Sequence, residues 1–258
     1  MDPTTESVSF VGMTFEAGSH PDISARIADR RSTFRYVVTP NVDHVVTIIP
    51  SKEQRAGRAY LEADLKVCDS RVLGILAQLV GIKLPVYPGS DITRDILDGR
   101  FGDVKIAIVG PSRRDFLALR GVYPTVPLVH VDTPDGLTPD SEDWSRLIRN
   151  IETAGWDVAL ICLPIPLQQQ LGHSLRSRGK VRGTAICVGA AVDFLTGKQT
   201  RAPIWVQNLA LEWLFRLLTN PRRLWRRYLR DAIRIGPIFF RLEVLPRLRR
   251  AVASRAGS

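Results

Sequence analysis

Asp69 is the residue of this chain whose type and surroundings best suit chemistry. It follows an apolar run at 65–68, and small Cys68 and Ser70 flank it. A carboxylate at a strand end can take a proton from a hydroxyl as that hydroxyl attacks a second substrate. The plain alternative is helix capping, since an Asp ahead of Arg71-Val72-Leu73 also makes a good N-cap. Asp91 after Gly89-Ser90, and Asp193 after Gly189-Ala190-Ala191, admit the same alternative. His20, His44, His130 and His173 share no H-E-x-x-H spacing and no Asp-x-Asp occurs, so no metal site is expected. Cys68, Cys162 and Cys187 form no C-x-x-C pair and sit among apolar neighbours, as small buried hydrophobes of a reducing compartment would.

Such a side chain needs a scaffold, and the surrounding pattern describes one. Short apolar runs alternate with helical periodicity, and turn residues separate them. Strands are expected at 8–15, 34–39, 65–68, 104–109, 126–131, 158–163 and 184–188. Helices are expected at about 22–31, 42–48, 52–63, 71–80, 90–98, 112–120, 141–154 and 167–178. This rhythm predicts an α/β fold, a Rossmann-like and mostly parallel sheet sandwiched by helices. Ligands of such folds gather beyond the carboxyl ends of the strands. Here those ends carry Thr39-Pro40-Asn41, Cys68-Asp69-Ser70, Gly110-Pro111-Ser112, Pro164-Ile165-Pro166 and Gly189-Ala190-Ala191, which read as one rim. A G-x-G-x-x-G fingerprint and a Walker loop are both absent, so dinucleotide enzymes and P-loop ATPases are not supported.

Charge divides the chain unequally. From Leu214 to Ser258 there are twelve Arg, no Lys and two acids, so this tail carries the whole net charge of +10 while the rest balances at 24 against 24. Asn220-Pro221 is expected to cap and begin a helix, with Leu224, Trp225, Tyr228, Leu229, Ala232 and Ile233 at helical spacing. Arg222, Arg223, Arg226, Arg227, Arg230 and Arg234 stand on the other side, and Gly236-Pro237 is expected to break the helix before a second basic segment at 238–248. Basic amphipathic helices bearing Trp and Phe suit an anionic leaflet, the alternative being a solvated face over an ordinary helical core. No apolar stretch approaches bilayer-spanning length, and Met1-Asp2-Pro3-Thr4-Thr5-Glu6 does not resemble a signal peptide. The expectation is a cytoplasmic protein lying on the inner face of the cell membrane. Nucleic acid is not an expected partner, because no recognition module and no aromatic interleaving accompany the arginines.

Several segments together resemble a known family. Thr39-Pro40-Asn41, Ala63-Asp64-Leu65 leading to Asp69, and Gly89-Ser90-Asp91 come first. The most specific block runs from Val188 through Gly189-Ala190-Ala191-Val192-Asp193-Phe194-Leu195-Thr196-Gly197-Lys198 to Arg201-Ala202-Pro203-Ile204-Trp205 and Leu211-Glu212-Trp213-Leu214-Phe215-Arg216. In this order they resemble the WecG/TagA/CpsF family, glycosyltransferase family 26. The resemblance implies an inverting, metal-independent transfer of a sugar from a UDP donor to a sugar on polyprenyl diphosphate, with no cofactor. It implies Asp69 as the base, and Thr39 and Asn41 as positioners of the reacting sugars. Gln168, Gly189 and their neighbours Ser90, Asp91, Gly110, Asp193 and Arg201 would bind substrate. Arg216, Arg223 and Arg226 would meet the lipid diphosphate.

The same comparison shows departures. The family's Asp-Gly is Asp69-Ser70 here, the Arg ahead of Gly-Ser-Asp is replaced by Val86-Tyr87-Pro88, and Gly-Gly-Lys has become Gly110-Pro111-Ser112-Arg113. The expected organisation is a catalytic α/β domain at 1–204 and an Arg-rich membrane-associating helical appendage at 205–258, with a homo-oligomer left open. A catalytically degenerate paralogue that scaffolds a membrane polysaccharide assembly complex is the alternative, and Ser70 in place of Gly is its best support.

Overall fold

A computed structural model describes residues 7–29, 33–51 and 53–256, with side chains throughout these except at 208, 223 and 254–256. The described chain opens with β1 (Ser7–Phe10) and β2 (Met13–Glu16), an antiparallel hairpin where the apolar pattern predicted one strand. Val11 and Gly12 turn the chain with φ of 45° and 73°, the left-handed geometry that matches the twist of a two-residue hairpin. There follow α1 (His20–Ala28), β3 (Arg35–Val38), α2 (Val42–Ile48), α3 (Arg55–Leu61), β4 (Leu65–Lys66), α4 (Arg71–Leu79) and α5 (Gly89–Leu97). Next come β5 (Ile106–Val109), α6 (Arg113–Val122), β6 (Leu128–Val131), α7 (Glu142–Thr153), β7 (Val158–Ile161), α8 (Leu167–Arg178) and β8 (Thr184–Cys187). Residues 30 and 31 of the helix expected at 22–31, and residue 52 of the one expected at 52–63, lie outside the described residues.

Strands β3 to β8 form one sheet in the order β4-β3-β8-β7-β5-β6, parallel at every pairing. β5, β7 and β8 are buried at every residue, as parallel strands covered on both faces must be. Alternate residues feed two cores: Ala107, Val109, Ala159 and Ile161 pack on one face, and Ile106, Ile108, Val158 and Leu160 on the other. The expected Rossmann-like α/β sandwich is therefore the observed fold, and all carboxyl strand ends open to the same edge.

Beyond β8 the described secondary structure is helical: α9 (Ala191–Leu195), α10 (Ile204–Asn208), α11 (Glu212–Thr219), α12 (Pro221–Phe239) and α13 (Leu245–Ala256). The break expected at Gly236-Pro237 does not occur. Pro237 lies inside α12, which passes through a π-helical turn at Phe240–Val244 into α13. A proline removes one backbone donor and crowds the carbonyl four residues back, and a widened π turn nearby absorbs such a defect without ending the helix. Tertiary contacts hold the segment in line. Phe239 meets Phe10 edge-on at 6.1 Å between centroids, and the buried Glu243 carboxylate accepts the Val11 backbone N–H at 2.7 Å.

Candidate active site

Asp69 stands just beyond β4, where the chain crosses the carboxyl edge of the sheet. Its own N–H donates to Pro40 O at 2.8 Å, and its Oδ1 accepts the Gly89 N–H at 2.9 Å. It does not cap α4. Ser70 does, its hydroxyl accepting the Leu73 N–H at 3.3 Å. Ser70 has φ −135° and ψ 111°, extended backbone that needs no glycine. The departure from the family's Asp-Gly at Asp69-Ser70 thus brings no backbone strain, and the Asp69 carboxylate is not taken up by the cap of α4. Burial pushes its pKa up to about 6, against the lowering pull of Arg216, the Gly89 N–H and Asn41.

The carboxylate lines a cavity of about 400 Å³ roofed by the C-terminal helices. Asn41, Val42 and Asp43 enter from the β3–α2 junction, Ser70, Arg71 and Val72 from α4, and Pro88 and Ser90 from the start of α5. Glu212, Trp213 and Arg216 of α11, and Arg227, Tyr228, Asp231, Ala232 and Ile235 of α12, complete it. Charges there are paired within the protein. Glu212 holds Arg216 at 3.0 Å and Arg71 at 3.4 Å, while Asp43 faces Arg227 at 3.9 Å and also pairs with Arg230. Arg216 lies over the Phe194 ring at 4.4 Å. An arriving diphosphate could draw Arg71, Arg216 and Arg227 from these carboxylates with charge-assisted hydrogen bonds. Trp213 and Tyr228, edge-on at 6.3 Å, give the cavity an apolar wall.

Four of the expected residues, Asn41, Asp69, Ser90 and Arg216, meet in this cavity. Thr39 and Gln168 are buried behind it. The Thr39 hydroxyl donates to Cys187 O at 2.8 Å, and a Cβ on Gly89 would stand 3.1 Å from that hydroxyl, so α5 packs tightly there. Gln168 Oε1 accepts the Gly189 N–H at 3.1 Å. Asp91 pairs with Arg201 at the edge of α5, and Asp193 accepts from the Gln199 amide at 2.8 Å. Gly110 has φ 116°, and a Cβ there would press within 3.0 Å of Cys162 O, so only glycine fits.

Of the expected arginines, Arg226 is exposed and lies 5.3 Å over Trp225, outside the cavity, and the Arg223 side chain lies outside the described residues. Arg227 and Arg71 line the cavity instead. Sequence spacing could have found Arg227 only with the register of α12 against α2 in hand. His44, buried between Gln168 and Asn41, was missed too, since a lone histidine in a helical run carries no motif. Among the described residues no three His, Cys, Asp or Glu side chains gather as a metal site would need, and no helix is long and apolar enough to cross a membrane.

Two comparisons with known proteins bear on this arrangement. An N-acetylglucosaminyldiphosphoundecaprenol N-acetyl-beta-D-mannosaminyltransferase of Bacillus subtilis (strain 168) is 33% identical over 88 residues, which is 34% of this chain and 34% of that protein. The chain thus aligns to about a third of that relative's length. The profile of the Glycosyl transferase WecG/TagA/CpsF family matches residues 8–250, which takes in the six-stranded sheet, the cavity, α12 and the first half of α13. With a match of that extent, the chain belongs to the WecG/TagA/CpsF family of glycosyl transferases.

Proposed function

We propose that this protein is a hexosyltransferase that moves a sugar from a UDP-sugar to a sugar carried on polyprenyl diphosphate, inverting the anomeric centre without a metal, in cell-surface polysaccharide synthesis. The carrying observation is Asp69, a carboxylate with its pKa raised to about 6 that lines a cavity with Arg71, Arg216 and Arg227. Asp69 takes the proton of the acceptor hydroxyl as its oxygen attacks the anomeric carbon from the face opposite UDP. The bond to UDP breaks and the diphosphate leaves with the electron pair, so an α-linked donor gives a β-linked product. The arginines neutralise diphosphate charge, while Gln168, from behind the cavity, holds the Gly189 loop that takes the nucleotide side. The relative's name supports N-acetylglucosaminyldiphosphoundecaprenol as the acceptor to test first.

Residues 1–204 act as the catalytic body and 205–258 as the appendage that meets the membrane. Exposed Trp225, Leu229, Ile233 and Phe240 among the arginines of the tail support a place at an anionic inner leaflet. A panel of UDP-sugars with a short-chain polyprenyl diphosphate acceptor tests the reaction. Asp69→Asn should leave UDP affinity nearly unchanged and remove most of the turnover, because it keeps the size but cannot take the proton. Near wild-type turnover in that variant would sink the mechanism. Chelator should leave the rate unchanged, and loss restored by manganese or magnesium would contradict the metal-free reading.

A further inference from the structure

Behind Asp69 runs a line of buried polar groups whose direction is set by its two ends. At one end the Gly189 backbone N–H, which can only donate, reaches Gln168 Oε1 at 3.1 Å. The Gln168 amide nitrogen therefore turns the other way and stands 3.4 Å from His44 Nε2. That nitrogen can only donate, so His44 Nε2 accepts, and a neutral imidazole then carries its proton on Nδ1. Nδ1 lies 3.1 Å from Asn41 Oδ1. At the far end is the Asp69 carboxylate, an acceptor only when ionised, to which the Asn41 side chain is a hydrogen-bonding neighbour. His44 and Gln168 are each 3% exposed, so water is not at hand to replace a missing partner.

The other tautomer would let Nδ1 accept the Asn41 backbone N–H, 3.2 Å away. It would also set Nε2–H against the Gln168 amide, and turning that amide would set its NH2 against the Gly189 N–H. The Nδ1–H form in turn sets its proton beside the Asn41 N–H, but that pair lies at a partly exposed cap and Nδ1–H gains Asn41 Oδ1 at 3.1 Å. Donors facing each other at Gln168 and Nε2 would instead be fully buried, with no acceptor in exchange. Burial also holds the His44 pKa down to about 4, which keeps the ring neutral.

We infer that His44, as the Nδ1–H tautomer, is a positioning residue that pins the Asn41 carbonyl, turns the Asn41 amide nitrogen toward Asp69, and couples the loop after β8 to the base. This rests on the proposed role of Asp69. No proton travels the line, because its amide members orient and do not relay. A long-range nitrogen–proton spectrum of the full chain labelled at histidine tests the geometry, with His44→Asn identifying the His44 signals. At pH 7 the expected pattern is a protonated Nδ1 and an accepting Nε2 whose signal moves in Gln168→Leu. A protonated Nε2, or an imidazolium, overturns the inference.

Kinetics test the coupling. His44→Gln places its amide at the Nε2 end and loses Asn41, so kcat should fall about tenfold with the donor KM within about twofold, as for one lost hydrogen bond to a key group. His44→Asn places an amide nitrogen near the Nδ1 position and should recover most of that loss. Equal loss in both variants, or a change confined to KM, reduces His44 to packing and overturns the inference. A chain that shows the tautomer yet transfers no sugar would overturn the proposed reaction, and with it the service to a base.

Discussion

At the scale of single residues, the influences on Asp69 can be ordered. Burial is the largest and raises its pKa, Arg216 comes next and lowers it, and Glu212 raises it, for a value of about 6. A base must be ionised, so kcat/KM should fall as the pH drops through about 6. Glu212→Gln removes a raising charge and should move that acid limb to lower pH, whereas Arg216→Gln removes a lowering one and should move it up. If the two variants move the limb the same way, the limb does not report Asp69. Stability follows with the opposite sign from a salt-bridged acid. The folded protein binds this proton more tightly than the unfolded chain, whose value is 3.8, so ionisation costs stability above about pH 6 and nothing below 3.8. Asp69→Asn should therefore gain on the order of 2–3 kcal/mol in urea unfolding at pH 8, and the gap should close by pH 4.

At the scale of elements, the C-terminal helices depend on the first hairpin. Val11 is a buried β-branched residue at φ 45°, and its N–H has the Glu243 carboxylate as partner across 232 positions of sequence. Glu243 in turn holds Arg247 at 2.6 Å. Glu243→Leu leaves the Val11 donor buried without an acceptor, which should cost about 2–3 kcal/mol in denaturant unfolding. Glu243→Gln keeps an acceptor oxygen and should cost clearly less. Equal midpoints for the two variants would show that the contact contributes nothing. Helix α12 itself carries two faces: Tyr228, Ala232 and Ile235 line the cavity, and Trp225, Leu229 and Ile233 face outward.

At the scale of the whole molecule, the tail that carries the excess charge also closes the cavity over Asp69. Truncation after Leu217 removes Arg227, Tyr228, Asp231, Ala232 and Ile235 from its wall. It should abolish transfer to a lipid-linked acceptor and release the protein from anionic vesicles, while circular dichroism still reports the α/β body. Basic side chains near an acidic leaflet contribute roughly 1 kcal/mol each, so salt should weaken vesicle binding of the intact chain, leaving the part due to Trp225, Leu229 and Phe240. A truncated protein that bound vesicles and transferred sugar like the intact chain would make the tail a solvated helix pair.

Local pattern by itself determined the alternation of strands and helices, the apolar β5, β7 and β8, and the gathering of Thr39, Asn41, Asp69, Gln168 and Gly189 at one edge. Parallel strands joined through helices leave all their carboxyl ends on one side, so that much follows from order along the chain. What capped α4 was a choice between neighbours, Asp69 or Ser70, and only the Gly89 N–H, twenty residues on, settled it by engaging the carboxylate. The hairpin at Val11 and the unbroken passage through Pro237 were hidden for a related reason. Each runs against local propensity and is held by the other through Glu243 and Phe239. The register of α12 on α2 chose Arg227 over Arg226 for the cavity, because one step along a helix turns a side chain by about 100° and packing decides which step faces in.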